Sequence, residues 1–155
     1  MTTKKEKHLL RASKTKTYKH PNTNPVLFSF QKKMTVVFLE MLLMIKLFHW
    51  KTTSFAAHKA SDELYAKLNT NMDSFIEILL GKSQHRTNLL QQKKIRLIDL
   101  PSKEKMKQEM EQFKGFLVDL NHEPAMKQMS NTDLYNIRDT LLGDVNQFLY
   151  LLTFQ

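Results

Sequence analysis

FAAHKASDELYAKLNTNMDSFIEILLG, residues 55–81, decides the fold. Its apolar side chains, Leu64, Tyr65, Leu68, Met72, Phe75, Ile76 and Leu79, recur at steps of three and four, which is the period of a helix with one buried side. Gly81 marks its end. Upstream, Met34, Val37, Phe38, Met41, Leu42, Ile45, Phe48 and His49 repeat the pattern and predict a helix over 31–50, after Pro21 and Pro25 interrupt any earlier one. Downstream, Leu100-Pro101-Ser102 reads as a stop followed by an N-cap. A helix over 103–120 follows, around Met106, Met110, Phe113 and Leu117. Ser130 and Asp133 resemble a capping box that opens a fourth helix with the stripe Leu134, Ile137, Leu141, Val145, Phe148, Leu149 and Leu152. Within the long middle connector, Leu89 to Leu97 predicts a short helix.

Composition agrees with an all-α chain. Three Gly and four Pro in 155 residues are too few for the many turns of a sandwich or barrel. The 41% hydrophobic content with 10 Phe and 9 Met supplies one core. Connectors of about 4, 20 and 10 residues describe a four-helix bundle, and the long middle one predicts a crossover that sets the second and third helices parallel, the ferritin-like arrangement. No cysteine is present, which removes disulfides, thiol nucleophiles and thiolate metal sites and leaves His, Asp and Glu as ligands. The polar, lysine-rich start lacks the apolar core of a signal peptide. The longest apolar run, Met34 to Trp50, carries Glu40 and Lys46 and is shorter than the ~20 residues of a membrane span. A soluble intracellular protein, cytoplasmic or held in a virion, is expected.

Charge is concentrated at the start. Residues 1–33 hold nine Lys or Arg (Lys4, Lys5, Lys7, Arg11, Lys14, Lys16, Lys19, Lys32 and Lys33) against Glu6, a net +8 of the chain's +9. We read 1–33 as a basic arm and 34–155 as the bundle. Such an arm suits DNA or another polyanion, because each Lys that neutralises a phosphate releases counterions. The alternative is a solvated tail.

The chemistry lies on the second helix. His58 and Asp62 are four apart, as are Asp73 and Glu77, and at ~100° per residue all four fall within a sector of about 100° beside the apolar stripe. Asp62 and Asp73, eleven residues apart, are separated by roughly 16 Å, so the two pairs cannot ligate one ion within one chain. If two copies of the helix cross antiparallel about a two-fold axis near Lys67 and Leu68, His58 and Asp62 of one meet Asp73 and Glu77 of the other, with His49 close by. Imidazole and carboxylate together suit iron, manganese or zinc. Solvated histidines are the expectation for His8, His20, His85 and His122, and surface roles for Asp139 and Asp144, which could pair with Arg138 or line a pore. No glycine-rich phosphate loop is present.

His49-Trp50, then Phe55, His58, Asp62, Leu64-Tyr65, Leu68, Asp73 and Glu77, resembles the ferroxidase segment of the Dps miniferritins, DNA-protecting proteins of starved cells. The spacings from His58 to Asp62, Asp73 and Glu77 match that family, and His49 to His58 is shorter. The helix order extends the resemblance over 31–153. The stretch Asp133-Leu134-Tyr135-Asn136-Ile137-Arg138-Asp139 and Tyr150-Leu151-Leu152 look more like ferritin-like proteins of large DNA viruses. The resemblance implies a dodecameric shell built from dimers, with ferrous iron oxidised by peroxide at inter-subunit sites. His49, His58, Asp62, Asp73 and Glu77 would be the ligands and Trp50 a radical-intercepting neighbour. A lysine-rich tail would condense DNA. The absence of any Glu-x-x-His fits the shared-site form. The competing function class is a non-catalytic structural component of a larger assembly, such as a virion.

Overall fold

The computed structural model describes residues 24–89 and 91–154, and among these the chain is all-helical. Four long helices, α1 (Pro25–Lys51), α2 (Phe55–Ser83), α3 (Lys103–Asp119) and α5 (Thr132–Leu151), are joined by loops, a 3₁₀ turn (Leu120–His122) and the short α4 (Pro124–Lys127).

Helix α1 starts at Pro25 rather than at 31. Proline stands at the first helical position, where its missing N–H has no partner to lose. Asn24 caps it by accepting from the backbone N–H of Val26 at 3.0 Å. The first turns of α1 therefore belong to the bundle, and Phe30 and Gln31 are buried although the sequence pattern assigned them to the arm. The arm residues Lys4, Lys5, Lys7, Arg11, Lys14, Lys16 and Lys19 lie outside the described residues. Ser54 caps α2 by accepting from Ala57 N–H at 3.3 Å, and only Thr52 to Ser54 separate the two helices. Helix α2 runs through Gly81 and ends at Gln84, which takes the left-handed conformation at φ 55°. Ser102 caps α3 as its sequence context predicts, accepting from Lys105 N–H at 3.2 Å. Asn131, not Ser130, stands at the N-cap of α5, and it makes no capping side-chain bond there. Its amide donates instead to Met126 O at 2.7 Å, closing the α4–α5 turn.

Cross-helix pairs give the directions. Gln31 meets Ser83, the Phe38 and Phe75 rings pack edge to face at 5.5 Å, and the Lys46 ammonium lies 4.5 Å from the Tyr65 ring centre. Helices α1 and α2 are thus an antiparallel hairpin. Between α2 and α5, Lys82–Asp133 at 2.8 Å, Asn71–Asp144 at 2.8 Å and Lys67–Gln147 at 2.7 Å form a second antiparallel ladder. Residues 84–102 contain no helix among those described, so the short helix expected over Leu89 to Leu97 is not formed. The connector touches α1 at Glu40, whose carboxylate accepts from Arg96 N–H at 3.0 Å, and then at Lys51, paired with Asp99 at 2.9 Å. It travels from the Ser83 end of the hairpin to the Lys51 end. After α3, Glu123 reaches Lys33 at 3.1 Å, back at the Ser83 end.

One apolar core lies between these helices. Met34, Met44, Met72, Met106 and Met110 are fully buried in it, unbranched side chains that fill irregular gaps between unlike helix faces. The stripes named from the sequence are mostly inside. Val37, Leu42, Tyr65, Ile76, Ile137 and Leu149 sit only at its margin, and Met44 and Phe30 lie within it. No helix among the described residues is long and apolar enough to cross a membrane.

Candidate metal centre

The short loop at Thr52 to Ser54 brings the last turn of α1 against the first turn of α2. His49 and His58 stack there, with ring centres 3.9 Å apart and planes inclined by 24°. Each ring turns Nδ1 to the other's backbone: His49 Nδ1 lies 3.0 Å from His58 O, and His58 Nδ1 lies 3.0 Å from His49 O. A carbonyl only accepts, so both Nδ1 atoms carry the proton. Ser61 fits the same assignment, because its hydroxyl donates to His58 O at 3.0 Å and its oxygen lies 3.3 Å from His49 Nδ1. Both Nε2 atoms are left with a free lone pair in the neutral rings. A donor bond from the other ring nitrogen to a backbone carbonyl is the arrangement that orients metal-ligating imidazoles.

His49 is buried, whereas Asp62 is exposed one turn along α2 from His58. His49 Nε2 stands 3.9 Å from Asp62 Oδ1. That distance is too long for a hydrogen bond. It is short enough for both atoms to reach one ion with bonds of about 2.0–2.2 Å. The donor set is thus chemically suited to a metal but incomplete, and among the described residues no three His, Asp or Glu stand together as a site.

Asp73 and Glu77 lie farther along α2, both exposed, and neither carboxylate takes part in a hydrogen bond or ion pair among the described residues. At ~100° per residue they look out from the side of α2 that carries Asp62, away from the side that packs on α1 and α5. Lys67 and Leu68, at the level expected for a two-fold axis, look elsewhere. Leu68 is fully buried, and Lys67 pairs with Glu63 at 2.7 Å, the contact that raises its pKa above the ordinary lysine value. At that level the outer side presents Ala66 and Asn69, both exposed.

Three features escaped sequence reasoning. Ser61 stands three residues after His58, a helical spacing that signals contact once the neighbouring imidazole is known. A recess of about 380 Å³ at the far end of α2 is lined by Glu77, Leu80, Gly81, Gln84, His85 and Arg86. His85 is therefore half-buried at a helix end rather than free in solvent. Arg138, named from the sequence only as a pairing partner for Asp139 and Asp144, is buried and donates to Asp139 Oδ1 at 2.6 Å, to Asn121 Oδ1 at 3.0 Å and to Leu117 O at 3.3 Å. His122 is exposed.

Residues 49–152 match the model of a family of unknown function (DUF5856). The match covers more than half of the chain and begins at His49 itself, so the protein belongs to this family. No curated protein and no solved structure matches the chain.

Proposed function

We propose that this family member is a Dps-like iron-binding protein that oxidises and sequesters ferrous iron at sites shared between two copies, built on a ferritin-like bundle. In favour of that bundle, the connector 84–102 returns along α1, so that α2 and α3 set out from the same end, with α2 antiparallel to both α1 and α5. The observation that carries the metal reading is the reciprocal imidazole pair, whose Nδ1 atoms are spent on carbonyls and of which His49 turns Nε2 to within 3.9 Å of Asp62 Oδ1.

In this reading His49, His58 and Asp62 of one copy supply half of a ligand set, and Asp73 and Glu77 of the second copy supply the other half. Nitrogen and carboxylate oxygen together suit ferrous iron as substrate, with manganese or zinc as competitors. The carboxylates stabilise the additional positive charge that iron gains when peroxide removes an electron from it. The backbone carbonyls hold Nδ1–H of both imidazoles and so leave Nε2 as the ligating nitrogen. The arm lysines Lys4, Lys5, Lys7, Lys14, Lys16 and Lys19, with Arg11, would hold DNA near the iron sites.

The double variant Asp62→Asn, Glu77→Gln tests the reading. Both side chains are exposed, so the fold should persist. Wild-type protein is expected to take up ferrous iron without oxygen and to turn it ferric on addition of peroxide. The variant should lose both, since neutral amides are poor ligands. A wild type that binds neither iron, manganese nor zinc would overturn the proposal. The competing structural role draws on the aromatic side chains Trp50, Phe55, Tyr150 and Phe154, all exposed.

A further inference from the structure

The outer side of α2 reads nearly the same in both directions. Phe55 and Leu80, Asp62 and Asp73, and Ala66 and Asn69 are each equidistant from the point between Lys67 and Leu68. At ~100° per residue all six fall within a sector of about 60°. They do not serve the chain's own core: all are exposed except Leu80, which is half-buried. Phe55, at 77%, is the most exposed large apolar side chain among the described residues. At the opposite end of the stripe, around Leu80, lies the recess of about 380 Å³ walled by Glu77, Gly81, Gln84, His85 and Arg86. Gly81 has no heavy atom within 4 Å of where a Cβ would stand, so its side of the recess is open.

A protruding ring and an open recess at equal distances from one point, on one face, are what a two-fold contact requires, because each copy must supply both parts. We propose that this face docks on the same face of a second copy, with Phe55 of each seated beside Leu80 and Gly81 of the other. The proposal rests on the shared-site reading above and adds to it the element that holds the two copies together. The acids cannot do so: the antiparallel pairing sets Asp62 against Asp73 of the mate, like charge against like. The small pair Ala66 and Asn69 lets the helix axes approach at the centre, since the side chains at the contact set the interaxial distance. The apolar locks at the two ends, about 38 Å apart along the helix, supply the attraction. A strip of that length and about 10 Å width offers on the order of 400 Å² per copy, half of a standard interface. The seated rings and the recess walls must make up the remainder.

Sedimentation of the full chain tests this. Phe55→Ala removes the ring without touching the core. Gly81→Leu puts a side chain into the recess from a position where its Cβ meets no neighbouring heavy atom within 4 Å. Each change occurs twice per dimer, so each variant should raise the dimer dissociation constant about 100-fold. The thermal midpoint of dilute, monomeric protein should not fall. Wild-type protein that remains monomeric, or variants that dimerise as wild type does, would overturn the docking. Iron uptake in the same wild-type preparation separates the two ideas. Weakened dimers with no iron binding in the wild type would uphold the docking and sink the metal reading. Unchanged dimers with normal iron uptake would do the reverse.

Discussion

Arg138 shows how a single residue works in this fold. Its guanidinium lies between the end of α3 and the flank of α5, with the Tyr135 ring 4.7 Å away, and its bond to Leu117 O ties the two helices together. Removing a buried charged donor strands its acceptors, so Arg138→Ala should cost about 2 kcal/mol, measured by urea unfolding. Asp133 acts in the first turn of α5. The Lys82 ammonium at 2.8 Å is the main cause that holds its carboxyl below the ordinary aspartate value, with help from the Leu134 N–H. A lowered folded pKa contributes stability above the unfolded value of about 3.9, and the contribution disappears as pH falls through the folded value. The pair is half exposed, so Asp133→Asn should cost under about 1 kcal/mol at pH 7. Below both pKa values it should cost nothing, which paired unfolding curves at neutral and strongly acidic pH will check.

Helices in this protein are set by their caps and by where glycine is harmless. Ser102→Ala should cost about 1 kcal/mol by leaving the Lys105 N–H without its partner. Gly115 and Gly143 lie inside helices with open space where a Cβ would stand. Gly115→Ala and Gly143→Ala should each stabilise by about 0.5–1 kcal/mol, read as a higher thermal midpoint. The buried stripes of α2, α3 and α5 were legible in the sequence because a helical period needs only apolar spacing. The ends were less so. Pro25 looks like a breaker until Asn24 is recognised as its cap, and Gly81 looks like a terminator although the helix stops at Gln84, in a conformation a non-glycine residue seldom takes. The connector's apolar residues Leu89, Ile95 and Leu97 resemble a short helix by spacing alone, yet tertiary contacts with Glu40 and Lys51 hold it extended. The candidate ligands could be chosen from spacing. What orients them could not, because the Nδ1 bonds run from ring to backbone across a loop, and the position of a carbonyl leaves no mark in residue identity.

For the whole molecule, the charge division makes one more measurement decisive. Deleting residues 1–23 should abolish binding to duplex DNA, and with about six phosphate contacts the full chain should lose affinity with salt at a log–log slope near −5. Equal binding by the truncated chain would assign the affinity to the bundle. The connector has a different consequence. It joins two hairpin units, α1 with α2 and α3 with α5, touching α1 at the surface through Glu40 and Lys51 and burying Leu100 near its end. The two units are held to each other largely by the α2–α5 ladder and the core behind it. Continuity of the chain through 84–102 then adds little to cohesion, and a protease that nicks this stretch should leave a particle of unchanged size and helicity. Expressed as separate polypeptides, residues 1–90 and 91–155 should find each other and reconstitute the bundle, so the protein can be handled as a two-piece complement as well as a single chain.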